Sequence, residues 1–555
     1  MRSNYTGHVT SAEWRWVTVV AVGLVLLAFS PFLWVLLAGV TGPEQNFVGA
    51  LHDHINTAGN LGRLYEGARD SWLTHYLHTP EPHPGALIDP LYALLGQVAS
   101  LTSLSAIVVF HVARVGASLF MYLALYQLAS TIWMRVRTRR VFFALAAFGS
   151  GFGWLLAPLT DTTSYIDLTT PGAYPFFSSL SNVHLPLAIA CLALLASIIV
   201  MVVRPDDTPM PSVNNGGVMV FILSLTLVFI YPLAFLPIAA AFILNVLWRW
   251  YGKRSVDQAQ FNWLLWTVVP ALPMLLYYFL VMQNNVVISE IWSQQDRIAP
   301  PSVPVFLLSF GLVLLLALPG LYRGVRRFDP DADQFMMIWL VIFVLLVYLP
   351  TVAQVSFLVG FMIPLAYFAT RALEDFWFGY LPRRWWVRLV VALIPLIFAS
   401  NLLMLILPVQ AINADNDDTA AGILIQQDYI ELFRWLSSRV SLDDVILAAP
   451  DVSLWVPGWT GARVVYGHPV QTINPSAKES AVRRWYAISD DDACDTGLLD
   501  GNVHFRNADY TVNFVIYGPR EAALGPAICR DALEIVAIFG DARLYRYVDG
   551  ARSAN

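Results

Sequence analysis

The stretch FVGALHDHINTAGNLGRLYEGARDSWLTHYLHTPEPHPGALIDPLY, Phe47–Tyr92, is a long polar interruption between two apolar runs. Upstream lies Trp16–Val40, which contains no charged residue. At roughly 25 residues it is long enough to cross a bilayer as a helix, and longer than the hydrophobic part of a cleaved signal peptide. Downstream, Ser105–Trp133 is a second crossing, and it stops at the arginine cluster RVRTRR, Arg135–Arg140. A polar stretch framed by two spans is a loop at the membrane surface. Its acids and histidines, among them Asp53, Glu66, Glu81, His52, His54 and His83, are therefore candidates for chemistry at that depth.

Composition agrees with a membrane protein. Of 555 residues, 57% are hydrophobic and only 13% charged, with a mean hydropathy of +0.59. A soluble protein of ordinary composition is about 25% charged. The 19 Trp and 23 Tyr suit interfacial belts at many span ends. Lys253 and Lys478 are the only lysines, and no segment is basic enough to argue for nucleic-acid binding. Three cysteines are too few for a disulfide scaffold. Cys191 sits in an apolar run, whereas Cys494 and Cys529 lie in the tail and can pair if the tail is exported.

The apolar runs predict an α-helical polytopic protein with about eleven transmembrane helices. The spans fall near 16–40, 105–133, 141–158, 184–203, 218–231, 233–250, 261–282, 303–321, 335–349, 355–371 and 386–407. Arginines cluster at alternate turns, which sets the N-terminus in the cytoplasm and the C-terminus outside the inner membrane. Pro232 and Pro237 fall inside the long apolar segment 218–250, so two helices meeting near Tyr231–Pro232 fit better than one. Pro90–Leu101 is too short to span and reads as a partly submerged helix. The membrane domain is thus residues 1–408, with 41–104 as its first outer loop. An acidic linker follows at 409–427, and 428–555 form a small extracytoplasmic α/β domain. Helices are expected at Asp428–Arg439 and Ala477–Ile488, strands at Val445–Ala449, Ala462–Gly467 and Tyr510–Tyr517, and a hairpin turning at Gly540–Asp541. No internal repeat is visible, which argues against a transporter built from inverted repeats.

Asp53 lies in the tripeptide His-Asp-His soon after the first span. Such an acid is a general base or a metal ligand, or else an N-cap in a wet loop. His52 and His54 point to different faces of a helix. Arg63, Glu66 and Arg69 share one face and read as a solvated ion-pair row. In TPEPH, Thr79–His83, two prolines hold the backbone extended and put Glu81 and His83 on one side, suited to a metal or a sugar, or to a rigid turn. His111 and Arg114 lie about two turns into the second span, where a charge needs a partner or a cavity. Arg114 is a candidate for lipid phosphate, or for an internal ion pair. The second outer loop, Leu159–Val183, brings Asp161 and Asp167, followed by His184; the third brings Glu290, Asp296 and Arg297. His111, Asp167, His184, Asp296 and Arg297 are candidate substrate contacts. In the tail, PGWTGARVVYGH, Pro457–His468, is a Gly-rich turn and strand without a nucleophile–base pair.

The motifs FVGALHDH (Phe47–His54), YEG (Tyr65–Gly67), TPEPH, LYALLG (Leu91–Gly96), FHVAR (Phe110–Arg114), GSGFGW (Gly149–Trp154), FFSSL (Phe176–Leu180), VVYGHP (Val464–Pro469) and VIYGPRE (Val515–Glu521) run through nearly the whole chain. In this arrangement the chain resembles the GT-C superfamily of polytopic glycosyltransferases, which includes protein O-mannosyltransferases and aminoarabinose transferases. The resemblance implies a sugar moved from a polyprenyl-phosphate donor to a glycan, lipid or protein acceptor at the outer face, with Asp53 as the matching catalytic acid. It leaves the cofactor open, with a divalent metal as one option. It also implies an acid near Gly172 and arginines near Gln354; this sequence has neither. An alternative within the same fold is a non-catalytic relative that binds lipid-linked glycans or assists envelope assembly; a transporter is a third.

Overall fold

The computed structural model describes residues 9–37, 45–160, 164–203, 213–254, 257–294, 300–328, 331–350, 354–380, 382–413, 422–487, 496–501, 510–525 and 532–548. In chain order the principal elements are α1 (Ser11–Leu37), β1 (Gln45–Phe47), α2 (His54–Ala68), α3 (Pro90–Thr102), α4 (Ala106–Ile132), α5 (Val136–Phe148), α6 (Gly153–Thr160), α7 (Ile166–Thr169), α8 (Pro175–Leu180), α9 (His184–Val202), α10 (Val213–Ile230) and α11 (Pro232–Lys253). There follow α12 (Gln258–Val268), α13 (Leu272–Asn284), α14 (Val286–Gln294), α15 (Val303–Arg327), α16 (Ala332–Tyr348), α17 (Met362–Ala372), α18 (Arg383–Asn413), β2 (Leu424–Gln426), α19 (Gln427–Ser437), β3 (Val445–Leu447), β4 (Arg463–Val464), α20 (Pro475–Tyr486), β5 (Phe514–Tyr517), β6 (Leu533–Phe539) and β7 (Ala542–Tyr547).

The protein is a polytopic membrane protein. Among the described residues, eight helices are long and apolar enough to cross a bilayer, and Gly216–Ile230 and Ala332–Tyr348 are shorter apolar helices. The chain breaks at Tyr231, between α10 and α11, and Pro232 occupies the first helical position, where its missing N–H is not needed. The run from Val355 differs from the span expected there. It folds as a 3-10 turn, Gln354–Leu358, a left-handed Gly360, and the eleven-residue α17. A π turn, Leu373–Trp377, and a last helical turn, Phe378–Tyr380, carry the helical backbone on from α17.

Two compact units divide the chain. The first comprises residues 1–30, 111–279 and 296–407. Its most buried span is α9, with Ala188, Ala190, Ala193 and Ala196 wholly enclosed. In α15, Gly311 adopts φ 44° and ψ −126°, which interrupts the helix. The break frees two carbonyls: Leu308 O accepts from the Phe152 amide at 3.0 Å, and Ser309 O accepts from the Tyr174 hydroxyl at 2.5 Å.

The second unit comprises residues 31–110, 280–295 and 408–555. Here the first long loop and the C-terminal residues fold together. β1 pairs antiparallel with β2, Phe47 opposite Leu424. A five-stranded sheet runs in the order β4-β3-β5-β7-β6, with β4, β3 and β5 parallel and the β6–β7 hairpin antiparallel. Its core gathers Val445, Leu447, Val482, Trp485, Tyr486, Val512 and Val515. A separate cluster joins Tyr76, Ala86 and Ile88 to Ile288, Ile291 and Ile473.

Candidate functional site

In the second unit, Asp53 begins α2 in the left-handed region, φ 51° and ψ 38°. A non-glycine residue at positive φ is uncommon and is held there by its surroundings. The Asp53 carboxylate is partly exposed and accepts from the Asn56 amide at 2.6 Å. His52 is buried and His54 is partly buried, its ring packed where Gly422 leaves no room for a Cβ. Burial lowers the His54 pKa, and the Asp451 charge opposes the shift.

Of the solvated row expected on α2, Arg69 is exposed but Arg63 and Glu66 are internal. Arg63 donates to Asn60 at 3.1 Å, pairs with Asp89 at 3.3 Å and lies over the Tyr76 ring. Burial by itself would lower its pKa, but Asp89 and Tyr76 carry it upward. Glu66 accepts from the His75 amide at 2.9 Å and meets His75 Nδ1 at 2.6 Å. Arg69 donates to the Ser437 carbonyl and the Tyr65 hydroxyl. Arg63 and Glu66 lie within α2, and Arg69 is its C-cap. What the helical spacing did not reveal is that Arg63 and Glu66 are covered by residues distant in sequence.

Glu81 and His83 do come together, but not as a metal pair. His83 Nε2 accepts from the Tyr76 amide at 3.1 Å, so Nδ1 carries the proton and donates to the Glu81 carbonyl at 2.9 Å. Both ring nitrogens are thereby committed. Burial pushes the His83 pKa down to about 4, which keeps the ring neutral. The Glu81 carboxylate accepts from the Thr79 hydroxyl and from Lys478, whose ammonium is wholly buried. Among the described residues no group of three His, Cys, Asp or Glu side chains is placed to hold a metal ion. His78 and His468 form a second buried pair, rings 5.5 Å apart and edge to face. His78 donates to Leu454 O at 2.9 Å, and His468 Nδ1 accepts from the Val470 and Gln471 amides. Burial pushes His78 down to about 4 and His468 well below the usual imidazole range.

The first unit holds the other candidates. His111 and Arg114 of α4 clasp one ring: His111 meets Phe29 edge to face at 5.7 Å, and the Arg114 guanidinium lies 5.4 Å from its centre. Arg114 is buried and donates to the Leu180 carbonyl at 2.6 Å. His184 opens α9 and stacks on Tyr231 at 5.6 Å.

Asp167 of α7 is buried. Its Oδ2 accepts from the Gly153 amide at 2.9 Å and the Ser400 hydroxyl at 2.5 Å, while Oδ1 has no hydrogen-bond partner among the described residues. Burial pushes its pKa up to about 6, against the pull of those two bonds. The GSGFGW motif now has a reason: a Cβ on Gly153 would sit 2.6 Å from Asp167 Oδ1, and one on Gly151 would strike the Ser309 carbonyl. The glycines leave room for the carboxylate. Gly172, where the resemblance implies an acid, packs against Val359 so closely that a Cβ would lie 2.7 Å from its Cγ2. Its carbonyl accepts from the Gly360 amide at 3.0 Å. The two segments that depart from the family pattern, around Gly172 and after Gln354, are thus neighbours. Asp161, Asp296, Arg297, Cys494 and Cys529 lie outside the described residues.

Lys478 was not singled out from the sequence. The one available signal was its rarity, as one of two lysines in a chain rich in arginine; its partner Glu81 is 397 residues away.

No protein-family model matches the sequence, and no curated protein matches it. Solved structures do. The ArnT protein of Cupriavidus metallidurans, in a structure bound to undecaprenyl phosphate, matches with a TM-score of 0.53 at 12% identity over 98% of this chain and 99% of its own. The oligosaccharyltransferase of Archaeoglobus fulgidus, in a structure tethered to an acceptor peptide, matches with a TM-score of 0.54 at 11% identity over 91% of this chain and 69% of its own. At such identities the likeness is one of fold. The chain therefore shares the fold of these two structures, a polytopic membrane architecture with a small sheet-containing region toward its C-terminus.

Proposed function

We propose that the protein is an integral membrane glycosyltransferase. It moves a sugar from a polyprenyl-phosphate donor to an envelope acceptor at the outer face of the cytoplasmic membrane. The observation that carries this reading is the placement of Asp53, a partly exposed acid held at positive φ at the start of α2 in a chain of GT-C fold. The ArnT neighbour's bound undecaprenyl phosphate supports a lipid-linked donor, and the tethered peptide of the oligosaccharyltransferase supports a site open to a macromolecular acceptor.

In the proposed step Asp53 accepts the proton of an acceptor hydroxyl. The acceptor oxygen bonds to the sugar's anomeric carbon from the face opposite the phosphate. The carbon–oxygen bond to phosphate breaks, and its electron pair leaves with the polyprenyl phosphate, giving inversion. Arg114, His111, Asp167, His184, Asp296 and Arg297 are proposed donor contacts, with cationic side chains offsetting the charge that develops on the leaving phosphate. Glu81 is assigned to the Lys478 pair and His83 to the backbone of its own turn, so neither is given a metal.

Asp53→Asn should lower transfer from an undecaprenyl-phosphate sugar to membrane acceptors by roughly 10²–10⁴-fold, the usual worth of a general base, while leaving thermal unfolding unchanged. Transfer at the unsubstituted rate by a folded Asp53→Asn protein sinks the assignment. The apolar packing of Gly172 on Val359 favours a second reading, a relative that binds lipid-linked glycans without transferring sugar. That reading expects undecaprenyl phosphate binding with no turnover in either protein.

A further inference from the structure

In the glycine-rich run PGWTGARVVYGH, Arg463 is the one residue with a permanent charge. Gly461 turns the chain at φ 75°, and a Cβ there would strike the Tyr65 ring. The residues that follow form β4, which is held on both sides. The Arg463 amide donates to the Asp444 carbonyl at 2.9 Å, and the Val464 amide donates to the Leu77 carbonyl at 3.0 Å. Arg463 thus stands on a fixed strand within the second unit, and it is only 5% exposed.

A buried guanidinium keeps its charge and offers five N–H donors, so it ordinarily has acceptors around it. Arg63 of α2, equally buried, follows that rule: it donates to Asn60 at 3.1 Å, pairs with Asp89 at 3.3 Å and lies over the Tyr76 ring. Arg463 does not. Its Nε is buried without a hydrogen-bond partner. Among the described residues the one acid paired with it is Asp443, whose Oδ1 stands 4.0 Å from Nη2, too far for a hydrogen bond. Burial lowers the Arg463 pKa, and the charges of Asp443, Glu66 and Glu81 oppose the shift. The oxygens of those two glutamates are otherwise engaged: both of Glu66 meet His75, and Glu81 receives Thr79 and Lys478. Asp444 is likewise occupied, by the amide and hydroxyl of Ser441. Asp443 stands in solvent, its side chain 91% exposed.

We propose that Arg463 anchors an anion-binding site in the second unit, and that Asp443 is the surface acid an incoming anion displaces. The group bound is a carboxylate or a phosphate, because paired oxygens match the planar fork of a guanidinium. Asp443 is itself such a group, and its place beside Nη2 marks an approach from solvent. Exchange of its carboxylate for another anion leaves the charge beside Glu66 and Glu81 nearly unchanged, so these acids do not bar the ligand. The same chemistry serves a soluble anion and the headgroup of an anionic lipid. The site does not rest on the transferase reading.

The test uses the full-length protein in phosphatidylcholine nanodiscs, with inorganic phosphate replacing chloride at fixed pH and ionic strength. A ligand that binds only the folded state raises the unfolding temperature as its concentration rises. Phosphate should therefore raise Tm in the unsubstituted protein, and Arg463→Met should abolish the rise. In Asp443→Asn, changed at an exposed position, the rise should be half complete at several-fold less phosphate. No rise in the unsubstituted protein, or an equal rise in Arg463→Met, overturns the site. An unchanged half-point in Asp443→Asn overturns the displacement. Should Arg463→Met fail to fold, Arg463→Lys keeps the charge without the fork and should need several-fold more phosphate; an unchanged requirement overturns the site equally. Nanodiscs of phosphatidylglycerol distinguish the two sources. A phosphate effect lost there assigns the site to a lipid headgroup, and one that persists assigns it to a soluble anion; either result supports the site.

Discussion

Lys478 reaches Glu81 from α20, and both groups are shielded from water. Burial lowers the Lys478 pKa, while the Glu81 and Glu290 charges oppose the shift. Removing one partner of such a pair leaves a charge without compensation, which costs roughly 3–5 kcal/mol. Lys478→Met is therefore expected to lower stability by about that amount, and adding Glu81→Gln should recover part of it. Denaturant unfolding of the two single variants and the double variant measures the coupling; strictly additive losses would show that the pair does not act as one. His78 and His83 carry a pH dependence. Each is held neutral down to about 4, whereas an unfolded imidazole takes up its proton near 6.5. Below 6.5 the unfolded chain binds more protons, so stability rises with pH and is lost between about pH 6.5 and pH 4. When fully developed, this difference in proton affinity is worth about 3 kcal/mol per histidine. Asp167, pushed up to about 6, acts with the opposite sign, favouring the folded state as pH falls toward 4. Thermal unfolding of His83→Gln should therefore show a shallower decline from pH 7 to pH 5 than the unsubstituted protein; parallel curves would remove His83 from the account.

Glycine acts at the scale of elements in two different ways. Gly67 and Gly96 bring α2 and α3 to backbone contact, and Gly151 and Gly153 make room for a carboxylate beside α6. Gly153→Ala places a methyl group against Asp167 Oδ1 in a closely packed interior. It should cost about 1–3 kcal/mol in unfolding free energy, as overpacking does. Gly311 is different again, because its φ of 44° with ψ of −126° is open only to glycine. Gly311→Ala should destabilise by a further 1–3 kcal/mol, roughly the cost of such backbone strain. It should also disturb the Tyr174–Ser309 bond next to Asp167, visible as a change in tyrosine fluorescence. A Gly311→Ala protein that melts with the unsubstituted one would show that the break in α15 is not required.

At the scale of the molecule, the C-terminal residues belong to the same compact unit as the first long loop. Lys478 holds Glu81, the Thr472 hydroxyl donates to the His78 carbonyl, and the Val464 amide donates to Leu77 O. Removing everything after Leu407 strips all of these from the loop. Hydrogen exchange over 54–88 in the truncated protein, in membranes, is expected to speed up markedly relative to the full chain. Equal protection would mean that the loop is held by its own contacts.

A helical protein that crosses a membrane repeatedly was legible because hydropathy over about twenty residues is a local quantity; about eleven spans were expected, and eight helices among the described residues are long and apolar enough to cross. The break at Tyr231–Pro232 and the hairpin at Gly540 were legible because proline and glycine act on their own backbone. Among the candidate residues, some contacts join sequence neighbours: Asp53 with Asn56, His83 with the Glu81 carbonyl, and His111 and Arg114 around one ring. Burial of Arg63 and Glu66, the Lys478–Glu81 pair and the Asp167–Ser400 bond depend on contacts between residues far apart in the chain. The sequence by itself determined that this chain enters a membrane repeatedly. Only the tertiary structure decided which of its charges are exposed and which are paired in the interior, because desolvation depends on what packs over a side chain and leaves no local pattern.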